Sequence, residues 1–168
     1  MTFRFKKGCH AATPYLFWPS RSCKYNIRFD KSCVYPPMEL EHCRGDMNKL
    51  FYFGSLLPHK NGATFTWQVL GDRYDRYLQL GWRVWVNGES PEQTGHKGTI
   101  GIIKPDMVYS LEIVCGDYVR FLFNDNEVAT CPVKIKGRWL HSPWFGGGPM
   151  SDKCTAPQDM KIDVRFMK

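Results

Sequence analysis

The chain has no CxxC pair, no heptad, no internal repeat and no glycine period. Ribbon-type zinc sites and thioredoxin-like redox motifs lose their usual spacing, and collagen, coiled-coil and solenoid architectures are excluded. Long apolar runs are missing too. The stretch from Ile100 to Ile103 is interrupted by Gly101, far short of the roughly 20 residues of a membrane-spanning helix. Charge of one sign is not in large excess: 23 Lys and Arg against 16 Asp and Glu leave a formal +7 over 168 residues. With 43% hydrophobic residues, that repulsion is too weak to keep the chain unfolded. No apolar stretch of roughly 7–15 residues follows the basic start at Arg4, Lys6 and Lys7, as a secretory leader would require. The expectation is a protein made in the cytoplasm, which could be incorporated in a virion.

Aromatic residues are plentiful: 11 Phe, 8 Tyr and 6 Trp. The length fits one domain of roughly 100–200 residues. Residues 1–168 are read as that domain. Residues 1–45, with Pro14, Pro19, Pro36 and Pro37, supply less regular edge strands and loops, and 46–168 the main sandwich. Period-2 alternation predicts strands at 2–6, 25–29, 63–70, 77–87, 107–115 and 159–166. Residues 50–57 are a mixed apolar run. The clearest strand is 77–87, with Leu78, Leu80, Trp82, Val84 and Val86 on one face and Gln79, Arg83 and Trp85 on the other. Gly116-Asp117 and Asn124-Asp125-Asn126 have turn chemistry and predict a three-stranded meander. The nearest approach to a helix, residues 38–48, is interrupted by Gly45.

The seven cysteines are Cys9, Cys23, Cys33, Cys43, Cys115, Cys131 and Cys154. They are expected to be mostly reduced, with Cys115 and Cys131 packing as small apolar residues. Cys9, His10, His42 and Cys43 could hold a metal, but scattered thiols explain them better because ligands usually come in short-spaced pairs. Asn124 to Glu127 could ligate calcium; a hairpin turn accounts for the same residues, and the EF-hand spacing is missing. No cofactor and no metal site are predicted.

Two stretches carry a resemblance. Residues 108–128, VYSLEIVCGDYVRFLFNDNEV, resemble the paired strands of concanavalin A-like lectin and glucanase jelly rolls. Residues 144–162, WFGGGPMSDKCTAPQDMKI, resemble the closing segment of compact bacterial and phage-associated members. The resemblance implies an all-β, antiparallel jelly-roll sandwich. It leaves function open, because that superfamily hosts lectins, glycosidases, lyases and structural modules.

The paired carboxylates of a retaining glucanase are missing: Glu112 stands alone, and Asp159 and Asp163 have no glutamate partner at strand spacing. A polysaccharide lyase would need a charge neutraliser and a base. Gln79 and Arg83 could serve as the first, and Tyr52, His59 or Tyr77 as the second, although His59 also reads as an ordinary loop histidine. Sugar binding asks only for an aromatic plane with flanking amides and cations. The candidate ligand-binding residues are therefore Gln79, Arg83, Trp85, Trp144 and His59, with no catalytic residue assigned. The favoured reading is a non-enzymatic module that binds a glycan or a protein surface, acidic surfaces included. A virion or assembly component and a lyase are the alternatives. Dispersed basic residues disfavour a nucleic-acid partner, and no membrane partner is expected.

Overall fold

The computed structural model describes residues 1–36, 47–72, 74–146 and 154–167. Among these residues thirteen strands are formed: β1 Thr2–Phe5, β2 Phe17–Pro19, β3 Cys23–Phe29, β4 Asn48–Lys49, β5 Tyr52–Gly54, β6 Gly62–Gly71, β7 Arg76–Trp85, β8 Lys97–Ile103, β9 Val108–Val114, β10 Val119–Phe123, β11 Asn126–Cys131, β12 Trp139–His141 and β13 Met160–Phe166. A 3-10 turn, Lys31–Cys33, and one short helix, α1 Pro91–Thr94, complete the described elements. The weak helical signal at 38–48 falls mostly outside the described residues.

The strands make two antiparallel sheets. The first runs β1-β13-β3-β9-β10-β11, and the second β2-β12-β5-β6-β7-β8 with β4 also pairing β6. The all-β sandwich of two antiparallel sheets expected from the sequence is what the chain forms. Its seam is aromatic: Phe65 meets Phe121 at 5.2 Å, Trp67 meets Phe29 at 5.4 Å, and Phe51 meets Tyr25 at 4.8 Å, all edge-on. Edge-to-face contact is the favoured arrangement of ring quadrupoles, so these pairs add orientation to apolar burial.

The hairpin β6–β7 shows how the sequence sets this up. Its register runs from Gly62↔Trp85 to Gly71↔Arg76, so Ala63, Phe65, Trp67, Leu78, Leu80 and Val84 all point into the core. Trp82 and Val86 are partly buried against the same core. A one-residue slip would put this whole set in water, which is why the alternation specifies the pairing. Gly71, at φ 104°, closes the hairpin where an added Cβ would lie 1.8 Å from the Asp75 carbonyl oxygen. Asp72 then accepts from the Tyr74 and Asp75 amides at 2.7 and 2.9 Å.

The outer face of the first sheet is a lattice of ion pairs. Lys24 bridges Glu112 and Asp125, Arg28 meets Asp163, and Arg120 meets Glu127. Asn124 and Asp125 have φ of 50° and 63°. Two successive positive values are the type I′ hairpin geometry, so this segment turns the chain as its sequence implied.

Of the six described cysteines, Cys9, Cys23, Cys33, Cys115 and Cys131 are free and Cys154 is disulfide-bonded. Cys131 is buried as expected, whereas Cys115, just past the end of β9, is only partly covered. Cys23 and Cys33, whose packing role the sequence did not reveal, are fully buried.

Candidate functional site

Alternation along β5, β6, β7 and β12 sends a second set of side chains to the outer face of the second sheet. Their register is Phe17↔His141↔Tyr52 across β2, β12 and β5, and Gly62↔Trp85, Thr64↔Arg83 and Gln68↔Gln79 across β6 and β7. Gly62 is needed here. A Cβ at that position would sit 2.4 Å from Tyr52 Cζ, so the bare glycine lets the phenol lie across the sheet. Tyr52 then meets Trp85 at 5.9 Å and His141 at 5.6 Å, both edge-on.

His59 closes this cluster from above. It stacks on Trp85 at 4.9 Å and 29°, and it stands edge-on to Tyr52 at 6.0 Å. The connection that carries it is tied down at several points. Ser55 donates its amide to the Asn61 carbonyl at 2.8 Å, and His141 Nε2 donates to the Ser55 carbonyl at 3.2 Å. The Asn87 amide donates to Asn61 Oδ1 at 2.8 Å, and the Gly88 amide to the Lys60 carbonyl at 2.8 Å. His59 itself takes φ 63°, a left-handed backbone that costs a non-glycine residue energy and is held by these ties.

Trp85 is thus 6% exposed. The sequence puts it on the outer face, correctly, but the ring is roofed by His59 and offers no open stacking surface. Arg83 is paired with Glu92 of α1 at 2.5 Å, with 14% of its side chain exposed. Gln79 accepts from Gln68 Nε2 at 2.8 Å. It stands at the other end of β7, about 20 Å from Trp85 at 3.3 Å per residue. Tyr77 lies further still in that direction. Of the sequence candidates, the fold brings His59, Trp85 and Tyr52 together and leaves Gln79 and Tyr77 apart from them.

The chemistry of the cluster is neutral at physiological pH. Burial, the nearby Lys49 ammonium and His141 push His59 down to about 4. Burial also lowers His141, and it raises the Tyr52 phenol to about 12. General acid–base work near neutrality calls for groups poised near the operating pH, and these are moved away from it. Lys49 is buried on the same face and donates to the Gly146 carbonyl at 3.0 Å.

Trp144 occupies a different position on this face. Its backbone exchanges both hydrogen bonds with Lys49, and its ring is 36% exposed beside the buried Phe145. His10 stacks on it at 5.4 Å and 7°, fixed by donation from Nδ1 to the Phe145 carbonyl at 2.9 Å. A parallel arrangement recurs at Phe17, which is 54% exposed and stacks on His141 at 6.0 Å and 15°. Trp139 lies 5.9 Å away, tilted by 41°. Sequence reasoning missed Phe17 and Trp139. The available signal was the run Tyr15-Leu16-Phe17-Trp18-Pro19, whose odd positions prove exposed.

No three His, Cys, Asp or Glu side chains converge as a metal site among the described residues. Of the conceivable set Cys9, His10, His42 and Cys43, the last two lie outside the described residues. Cys9 is exposed, and His10 is engaged with Phe145 and Trp144.

No protein-family model matches the chain, and no curated protein matches it. Solved structures do. A carbohydrate-binding module from Bacillus subtilis matches at TM-score 0.40 and 13% identity, covering 92% of this chain and 76% of that one. A 1,3-alpha-1,4-beta-D-galactose-4-sulfate-3,6-anhydro-D-galactose 4 galactohydrolase matches at 0.42 and 10%, covering 97% and 77%. A kappa-carrageenase from Zobellia galactanivorans matches at 0.32 and 12%, covering 98% and 63%.

Proposed function

We propose that this sandwich binds carbohydrate on the outer face of its second sheet and does not cleave it. The observation that carries the reading is a pair of exposed aromatic rings on one face, each backed by a parallel imidazole: Phe17 on His141 and Trp144 on His10. A ring supported from behind is a flat apolar surface that loses little freedom when a pyranose stacks on it. Two residues, Ser142 and Pro143, separate His141 from Trp144, and the three steps span at most about 10 Å. Two stacking positions at that distance fit a linear oligosaccharide better than a single sugar. Trp139 widens the Phe17 end.

Binding without cleavage is supported by the titrating groups. The Tyr52–His59–His141 cluster is neutral, Arg83 is already paired with Glu92, and Glu92 is shared with Lys97 at 3.8 Å. None of these is a free carboxylate pair or an unengaged charge neutraliser. Trp85 then acts as rigid backing of the face and His59 as its cover, rather than as an open stacking surface.

The test is a panel of immobilised polysaccharides probed with wild type, Phe17→Ala and Trp144→Ala. Each substitution is expected to weaken the best ligand several-fold while leaving the melting temperature within a few degrees. Incubation with that ligand should release no new reducing ends and no absorbance from an unsaturated uronate. Unchanged affinity in both variants would remove this face as the site, and product formation would replace binding with catalysis.

A further inference from the structure

The second sheet's outer face runs into an open cleft of about 480 Å³ lined by Pro19, Ser20, Arg21 and Arg138. Pro19 is the register partner of Trp139, so the cleft begins where the Phe17–Trp139 surface ends. The Ser20 amide donates to the Arg138 carbonyl at 2.9 Å, and the two arginines therefore flank one backbone hydrogen bond. Both are exposed. Neither makes an ion pair with any described carboxylate, in contrast to Lys24, Arg28 and Arg120 on the first sheet. Described carboxylates thus pair Lys24, Arg28 and Arg120 on the first sheet and Arg83 and Lys97 on the second, and leave Arg21 and Arg138 unopposed beside the aromatic surface.

Building on the carbohydrate-binding reading above, we infer that the ligand is an anionic polysaccharide, and that Arg21 and Arg138 take its sulfate or carboxylate groups. A guanidinium presents two parallel N–H donors that match the oxygens of either anion. Two such forks at one end of a stacking surface fix both the charge of the ligand and its direction. The arginines sit in a wet, open cleft, so they select by charge and respond to salt, while the rings contribute the salt-insensitive part of the affinity.

The experiment measures affinity for a sulfated galactan and its desulfated form, and for a polyuronate and its carboxyl-reduced form. Proteins are wild type, the double variant Arg21→Ala/Arg138→Ala, and Phe17→Ala. Wild type is expected to prefer one or both charged polymers by roughly tenfold at low salt. That preference should shrink at 0.5 M salt and vanish in the double variant, whose melting temperature should match wild type. Phe17→Ala should weaken charged and neutral polymers alike. The tighter charged arm identifies the anion. Equal binding of charged and neutral polymers overturns this inference while leaving carbohydrate binding intact; so does a preference that survives in the double variant. Binding to none of the four polymers overturns both readings. Tighter binding of a single-stranded oligonucleotide than of any polymer overturns the assignment of the cleft to a polysaccharide.

Discussion

Replacing Phe17 with alanine separates a contact surface from a packing residue, and the contrast with Trp85→Ala makes the result decisive. Phe17 is 54% exposed and Trp85 is 6% exposed, although both project from the same side of the second sheet. Full burial of a Phe side chain stabilises by about 1.5–3 kcal/mol, so half-burial contributes roughly 1 kcal/mol. The contact with His141 adds a further ~0.5–1 kcal/mol. Phe17→Ala should therefore cost about 1–2 kcal/mol of stability, which a domain with 5–15 kcal/mol in hand survives. Trp85→Ala empties a space enclosed by Tyr52 and His59 and should cost about 3–5 kcal/mol. Urea denaturation reads both values. Glycan affinity should move the other way round at folded concentrations: a fall of roughly fivefold for Phe17→Ala, from a lost stacking contact of about 1 kcal/mol. Trp85→Ala should change affinity only as far as it loosens the face. If Trp85→Ala melts like wild type and abolishes binding while Phe17→Ala binds normally, the division between backing and contact surface is wrong.

Other outcomes follow from the same geometry. Gly62→Ala should destabilise the domain and shift the near-ultraviolet circular dichroism, because the new Cβ would meet the Tyr52 ring at 2.4 Å. A far smaller effect would show that the phenol moves aside freely. His59 has a folded-state value near 4 against an ordinary 6.5, so the unfolded chain binds the proton first and stability falls as pH drops from about 6.5 towards 4. His59→Gln should flatten that slope in pH-dependent denaturation, leaving the smaller share from His141, which is shifted the same way. Thiol labelling of the native protein should modify exposed Cys9 quickly. The buried Cys23 and Cys33, whose thiols burial raises well above the ordinary value, should react only on unfolding.

The strands that the sequence reveals are the long ones. Ten residues of β7 give enough alternation to assign every side chain to a face, and the observed register agrees with that reading. β2 and β12 are three residues each, too short for any period, and each carries a ring of the proposed binding face. Phe17, His141 and Tyr52 become neighbours only through pairing between segments far apart in the chain. Trp85 illustrates a different limit. Periodicity puts it outside the core, but its cover comes from hydrogen bonds linking Asn61 to Asn87 and Ser55 to His141, and no local pattern encodes these.

The order of strands in the sheets has a kinetic consequence. β13 is inserted between β1 and β3, and β12 between β2 and β5, so the last two of the described strands complete both sheets from within. A ribosome exposing this chain would hold β1 and β3 apart, with unpaired edges, until β13 had emerged. Local hairpins such as β6–β7 and β9–β10 can form early, whereas closure waits for pairings of high sequence separation. Chains of that kind fold in milliseconds to seconds rather than microseconds. Their vulnerable period is the interval in which open strand edges can recruit a neighbour. Removing β13 should therefore leave a persistent template for aggregation rather than a slightly weakened domain.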